Sequence, residues 1–327
     1  MTIFREMYGS YHLIKSGTLQ MVYRHRSLPD VALVFTDIMQ GYDQTLALEL
    51  PGKGKVANEI SVFWHAKFNK WGRALGLKTA FLGTDEASRQ KRMIRPADAS
   101  AKHILARITA PDLVGRTSIA TNLAMAPYKF VIYGYLCGEL YRRYKEGSRR
   151  FGEVRVPDGL MLNAKLPEPV AMLVTEDEKG NYTKYVLLEE AISKIEKTTY
   201  GQRIDIFTTL VMVKNALCTL YKRAHYYAKQ RGVIIAEARF GIGASNKSIA
   251  LVSGSLLTPD SARYWANSDG ALGRDLVLHN IQDYLARHTD VTKPDFQLPD
   301  CLLAEALQRY QWLCDVLKGA PRASCLD

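Results

Sequence analysis

Apolar positions change their spacing along this chain, and the changes predict its elements. The β-prone runs Leu19 to Tyr23 and Val31 to Phe35 come first, separated by the turn-prone Ser27-Leu-Pro-Asp30. Pro51-Gly-Lys-Gly-Lys55 interrupts them. Beyond it Val56, Ile60, Phe63, Phe68, Trp71 and Leu75 recur at roughly helical spacing, which predicts an amphipathic helix over 56–75. The first-turn amides of a helix lack partners inside it, so this glycine-rich start is a candidate anion site. Residues 83–127 are less regular and read as a loop-rich connection. Phe130 to Leu136 predicts a strand and Gly138 to Tyr144 a short helix.

Two further helices are expected over Leu187–Lys197 and Ile204–Gln230, the second stopped by Gly232. The runs Val233–Phe240 and Ser248–Val252 flank Gly243-Ala-Ser-Asn-Lys247 and predict a hairpin. A helix over Arg274–Ala286 and a tail helix from Asp300 to Gly319 complete the reading. Strands first, mixed elements next and helices last argue for an α+β fold rather than an alternating βαβ one.

Composition narrows the function. The 327 residues are enough for two or three domains with a good core. No basic stretch followed by an apolar run opens the chain, and no apolar segment is long enough to span a bilayer, so a cytoplasmic protein without a membrane partner is expected. Five scattered cysteines without a CxxC pair, and seven histidines without HxH or HxxxH, argue against a disulfide framework or a zinc site. The net charge of +11 makes polyanions, nucleic acid among them, candidate partners. Two basic clusters carry part of it: Arg89, Lys91, Arg92, Arg95 and Lys102, then Arg142, Arg143, Lys145, Arg149, Arg150 and Arg155. A homo-oligomer or larger assembly is a further candidate state. No GxGxxG and no P-loop spacing occurs.

Several segments, in order, resemble the SAICAR synthetase (phosphoribosylaminoimidazole-succinocarboxamide synthase) family. They are LPGKGKVANEISVFW at 50–64, YGYLCGELYRRYKEG at 133–147, PDGL at 157–160, LPEP at 166–169 and LTPDSARYW at 257–265. The resemblance runs from about residue 13 to 319. It implies an antiparallel, β-rich, nucleotide-binding-like domain over 1–127, a larger α+β domain over 128–290 and a C-terminal helical segment over 291–327. It also implies an ATP- and Mg2+-dependent reaction in which a carboxylate is activated as an acyl phosphate and captured by an amine. Carried over motif by motif, it makes Gly17, Asp43, Lys53, Lys55, Asp260, Ser261 and Arg263 anion- or nucleotide-binding candidates. Glu237 and Arg239 become catalytic candidates, with Glu237 also the metal candidate.

The charges within those motifs depart from the family pattern. Thr18 and Gln20 stand where the glycine loop carries basic side chains. Arg239 takes a lysine's place, Gly241 that of a second acid, and Gly254-Ser255 that of an Asp-Glu pair. Tyr133 replaces an arginine and Glu139 a serine in the segment implied to hold the substrate phosphate, where a carboxylate repels that group. Glu176 replaces a family lysine, and Val277-Leu-His279 stands where the family has DKQ. These losses set the expectation of a binding or structural module without the parental reaction. The alternative is an ATP-dependent carboxylate–amine ligase in purine biosynthesis or on a different nucleotide-like substrate.

Overall fold

The computed structural model describes residues 11–25, 30–40, 47–84, 113–176, 182–186, 191–192, 195, 197, 205–245, 248–268, 272–287 and 298–319. Asp43, the first basic cluster and almost all of the 187–197 helix expected from the sequence lie outside them.

Strands open the chain: β1 (Tyr11–Ser16), β2 (Gln20–His25), β3 (Asp30–Phe35), β4 (Ile38–Gln40) and β5 (Ala47–Glu49). Helix α1 (Lys53–Gly72) runs into a 3-10 turn at Arg73–Leu75, so the predicted helix is present but begins three residues earlier, inside the glycine-rich motif. Next come β6 (Lys78–Thr79), β7 (Phe81–Thr84), β8 (Thr117–Thr121) and the long β9 (Ala124–Tyr135). Helix α2 (Gly138–Lys145) leads to β10 (Arg150–Phe151), β11 (Val154–Arg155), β12 (Lys165–Glu176) and β13 (Tyr182–Val186). Helix α3 (Ile206–Lys229) precedes β14 (Val233–Ser245), β15 (Ser248–Ser253) and β16 (Ala262–Ala266). Helices α4 (His279–Arg287) and α5 (Asp300–Lys318) follow.

The α+β architecture is therefore two main antiparallel sheets with helices between and beside them. One has the order β1-β2-β3-β8-β7. The larger has the order β13-β12-β9-β14-β15-β6, with β16 paired to the first half of β14. Among the described residues only β6 joins in parallel, beside β15. The predicted hairpin is real, but β14 continues to Ser245 and pairs it with Ser248.

Helix α1 packs between the sheets because its apolar stripe faces both. Val56, Ile60, Trp64 and Phe68 are buried in one core with Phe35 of β3, Phe240 of β14 and Tyr310, Leu313 and Leu317 of α5. Each such side chain contributes about 1.5–3 kcal/mol by leaving water. Helix α4 starts five residues later than its sequence pattern suggests. The Asp275 carboxylate accepts from the Val277 and Leu278 amides at 3.0 and 2.8 Å, which holds the preceding residues in turns.

Candidate active site

Strand pairing brings three charged side chains together in the interior. On β14, Glu237 lies directly across from Tyr133 of β9 on one side and Arg263 of β16 on the other. Opposed residues on neighbouring strands project to the same face of the sheet, as do residues two apart on one strand. Arg239 thus joins the same group. Its guanidinium lies 2.9 Å from Glu237 Oε1, and that of Arg263 lies 3.6 Å from Oε2. Glu237 is 2% exposed, whereas Arg239 and Arg263 are 14% and 19% exposed, so the arginines line the outer edge of the cluster.

The turn after β9 closes the group from above. Gly138 opens α2 at φ 54, and a Cβ there would lie 3.3 Å from Glu237 Oε2 and 3.9 Å from an Arg263 nitrogen. A side chain at this position would be both strained and crowded, which explains the glycine. Burial, and then the Glu237 carboxylate, push the Tyr133 hydroxyl well above its ordinary range, so it stays protonated. Burial and Glu237 likewise push the neighbouring Cys137 thiol up, which keeps it un-ionised and a poor nucleophile. Sequence reasoning missed Cys137 and Gly138. Their signal was the Cys-Gly step between a strand pattern and a helix pattern.

Lys53 and Asp260 meet elsewhere. The Lys53 ammonium lies 2.7 Å from Asp260 Oδ2 and donates to the Ile38 carbonyl at 2.8 Å. Tyr310 of α5 donates to the other Asp260 oxygen at 2.8 Å. The lysine side chain is 0% exposed and that of the aspartate 1%. Lys53 and Asp260, both expected to hold an incoming anion, here hold each other. Ser261 is also turned inward, its hydroxyl accepting from the Thr258 amide at 3.1 Å.

The start of α1 is filled as well. The Gly54 amide donates to Asp37 Oδ1 at 2.8 Å, and Arg116 pairs with the second Asp37 oxygen at 3.0 Å. The anion at this helix terminus is the chain's own carboxylate. Lys55 projects outward and is exposed. Gly17 forms a tight turn in which its amide donates to the Gln20 carbonyl at 3.0 Å.

Two of the departures from the family charge pattern come together. Gln20 Oε1 lies 3.8 Å from the point where a Gly254 side chain would begin. The position expected to be basic and the position expected to be acidic are neighbours, and both are neutral. His65 of α1 bonds the Gly254 carbonyl at 3.1 Å. A carbonyl can only accept, so Nε2 of His65 is protonated. Burial depresses the imidazole pKa to about 4.

Glu139 corrects another expectation. It bonds Arg142 and Arg143 on its own helix, and these partners outweigh burial and hold its carboxyl below the ordinary range. Its charge is neutralised locally rather than presented bare to a ligand.

The cluster does not fit the Mg2+ role assigned to Glu237. Both of its oxygens face guanidinium groups, and a divalent cation would have to displace or oppose two positive charges. Among the described residues no group of three His, Cys, Asp or Glu side chains is placed to hold a metal. Glu237 instead fits the part of a fixed carboxylate that orients two arginines. Arginine pairs of this kind bind carboxylates and phosphates through planar, bidentate contacts.

The SAICAR synthetase family model matches residues 13–285. The phosphoribosylaminoimidazole-succinocarboxamide synthase of Lachnospira eligens is 25% identical over 326 residues, covering 96% of this chain and 97% of that protein. The Candida albicans enzyme of the same name is 26% identical over 316 residues, covering 95% and 96%. Among solved structures, the Saccharomyces cerevisiae SAICAR synthase complexed with SAICAR superposes with a TM-score of 0.74 at 19% identity, covering 97% of this chain and 98% of that one. A SAICAR synthetase in complex with ADP gives 0.61 at 14% identity, covering 94% and 99%. With a family model spanning most of its length and the fold matched end to end, the chain belongs to the SAICAR synthetase family.

Proposed function

We propose that this protein is an ATP-dependent carboxylate–amine ligase acting on a nucleotide-like acid, the second of the two readings left open by the sequence. The observation that carries it is the buried Glu237 between Arg239 and Arg263, in a family whose relatives are named as synthases. Two partly open arginines around a carboxylate 2% exposed leave an excess positive charge at the edge of the cluster, where an anionic ligand can be taken up. The family match and the named relatives likewise support the ligase ahead of the non-catalytic module.

In this reading ATP transfers a phosphoryl group to the substrate carboxylate, and the amine then displaces phosphate to leave an amide. Arg239 and Arg263 hold anionic oxygens of the bound nucleotide and of the substrate, Glu237 fixes both guanidinium groups, and the protonated Tyr133 hydroxyl donates to the same region. No step is assigned to a metal through Glu237. The required partner is a nucleotide or other phosphate-bearing ligand. Nucleic acid and self-assembly gain no support from the second basic cluster, where Arg142, Arg143 and Arg149 pair with Glu139, Glu146 and Asp158. No helix among the described residues is long and apolar enough to cross a membrane.

The test is thermal denaturation with ATP and with ADP, each with and without Mg2+, followed by phosphate release with a panel of carboxylic acids and amines. Ligand at about 100 times its dissociation constant stabilises the native state by about 2.7 kcal/mol, a clear rise in melting temperature. No rise with either nucleotide at millimolar concentration would remove the reading.

A further inference from the structure

The loop joining β15 to β16, residues 254–261, twice enters the left-handed region, which glycine adopts readily and leucine does not. Leu257 has φ 49, and Gly254 has φ 84. A leucine in the left-handed region is strained and persists only where surrounding bonds over-determine it. Those bonds are present. The Tyr264 hydroxyl donates to the Leu257 carbonyl at 2.6 Å, and the Leu256 amide donates to Ser61 Oγ at 3.1 Å. His65 holds the Gly254 carbonyl. Asp260 is gripped from two sides, by Lys53 and by the Tyr310 hydroxyl.

Of these ties, the one from Tyr310 comes from α5, far along the chain. Tyr310 is buried, and its ring packs in the main core with Leu313 and Leu317. The loop it holds leads within three residues to Arg263, whose position against Glu237 defines the outer edge of the candidate site. We propose that Tyr310 is a positioning residue of that site: acting through Asp260, it fixes the 254–261 loop and thereby the placement of Arg263, so that α5 is part of the site's frame. The structural half of this inference stands on the loop alone, and its consequence for ligand binding rests on the ligase reading.

The physical reason lies in the two oxygens of Asp260. A buried carboxylate needs a donor on each. Lys53 serves Oδ2, and without the tyrosine hydroxyl Oδ1 loses its partner and the carboxylate gains freedom to swing toward the lysine. The turn that carries it then loosens. Tyr310→Phe removes the hydroxyl and keeps the ring, so the docking of α5 by apolar contact is retained.

The experiment compares the full chain and Tyr310→Phe by amide hydrogen exchange, with ADP titrated by calorimetry. The amides of Leu256, Thr258, Ser261 and Ala262 are all hydrogen-bonded and report the loop directly. Expected is exchange about tenfold faster across 254–263 with α5 unchanged, and an ADP dissociation constant raised by a similar factor. Unaltered loop exchange, or equal loosening of α5 and loop, would overturn the positioning role. So would unchanged ADP affinity in a variant whose loop has loosened. ADP that binds neither protein sinks the ligase reading, and the exchange pattern then decides the structural claim by itself.

Discussion

Two buried charge clusters flank the 254–263 segment, and they are built to opposite ends. Asp260 belongs to one and Arg263, three residues later, to the other. The first is closed: one cation, one anion, a backbone carbonyl and a tyrosine hydroxyl satisfy one another, with Lys53 and Asp260 at 0% and 1% exposure. The second sets two guanidinium groups against one carboxylate and leaves both arginines partly open. A charge pair that closes on itself has no capacity for a ligand and fixes geometry. A cluster with an excess cation and an open edge can still take up an anion. Family motif residues occupy both clusters, so a motif match alone does not separate the two tasks.

The largest effect that would break this contrast is in the closed cluster. Lys53→Met leaves Asp260 buried without its cation, and stability should fall by about 3–5 kcal/mol in urea denaturation. A neutral result would mean that the pair is not the structural element described. For the open cluster, Arg239→Ala should lower kcat/KM by about 100- to 1,000-fold, or about 3–4 kcal/mol of transition-state stabilisation, in a phosphate-release assay. If stability rather than turnover takes that loss, the two clusters do not differ in kind.

His65 sharpens the comparison through pH. Its pKa of about 4 in the folded chain lies below the 6.5 of an exposed imidazole. Between those values the unfolded chain binds the proton and the folded one does not, so acidification from pH 6.5 toward 4 removes stability, by up to about 3 kcal/mol. The contribution is intact above pH 6.5. In His65→Gln this part of the pH dependence should vanish, read as a flatter plot of melting temperature against pH. At the small end, Lys222 and Glu168 form an ion pair on the surface, with side chains 53% and 63% exposed. Lys222→Ala should change stability by no more than about 0.5 kcal/mol in the same urea titration, since solvent screens such pairs.

Much of the frame was legible in the sequence because periodicity reports which face is buried. The α1 pattern, the β14–β15 hairpin and the tail helix ending at Gly319 all follow from it. Boundaries failed where side-chain capping competes with the helix, as at Asp275. The site was legible in its members but not in its partnerships. Glu237, Arg239 and Arg263 could be picked from motifs, yet the meeting of Glu237 with Arg263 depends on strand register, which local pattern does not carry. Lys53 and Asp260 looked like free charges for the same reason: they lie far apart in sequence, and their mutual neutralisation exists only in the fold. Likewise the adjacency of Gln20 and Gly254 turns two separate departures from the family pattern into one neutral patch.

The bond from Tyr310 to Asp260 also bears on the order in which a ribosome delivers the parts. Residues 254–263 leave the ribosome well before α5 does. Until that helix has emerged and docked, Asp260 has only its lysine partner and the loop beside Arg263 lacks its second anchor. In a nascent chain the charged pocket is therefore still unset when the strands that carry it have already emerged. Premature release would leave Asp260 and the loop beside Arg263 without the anchor that α5 supplies, and the main core without the apolar face of that helix.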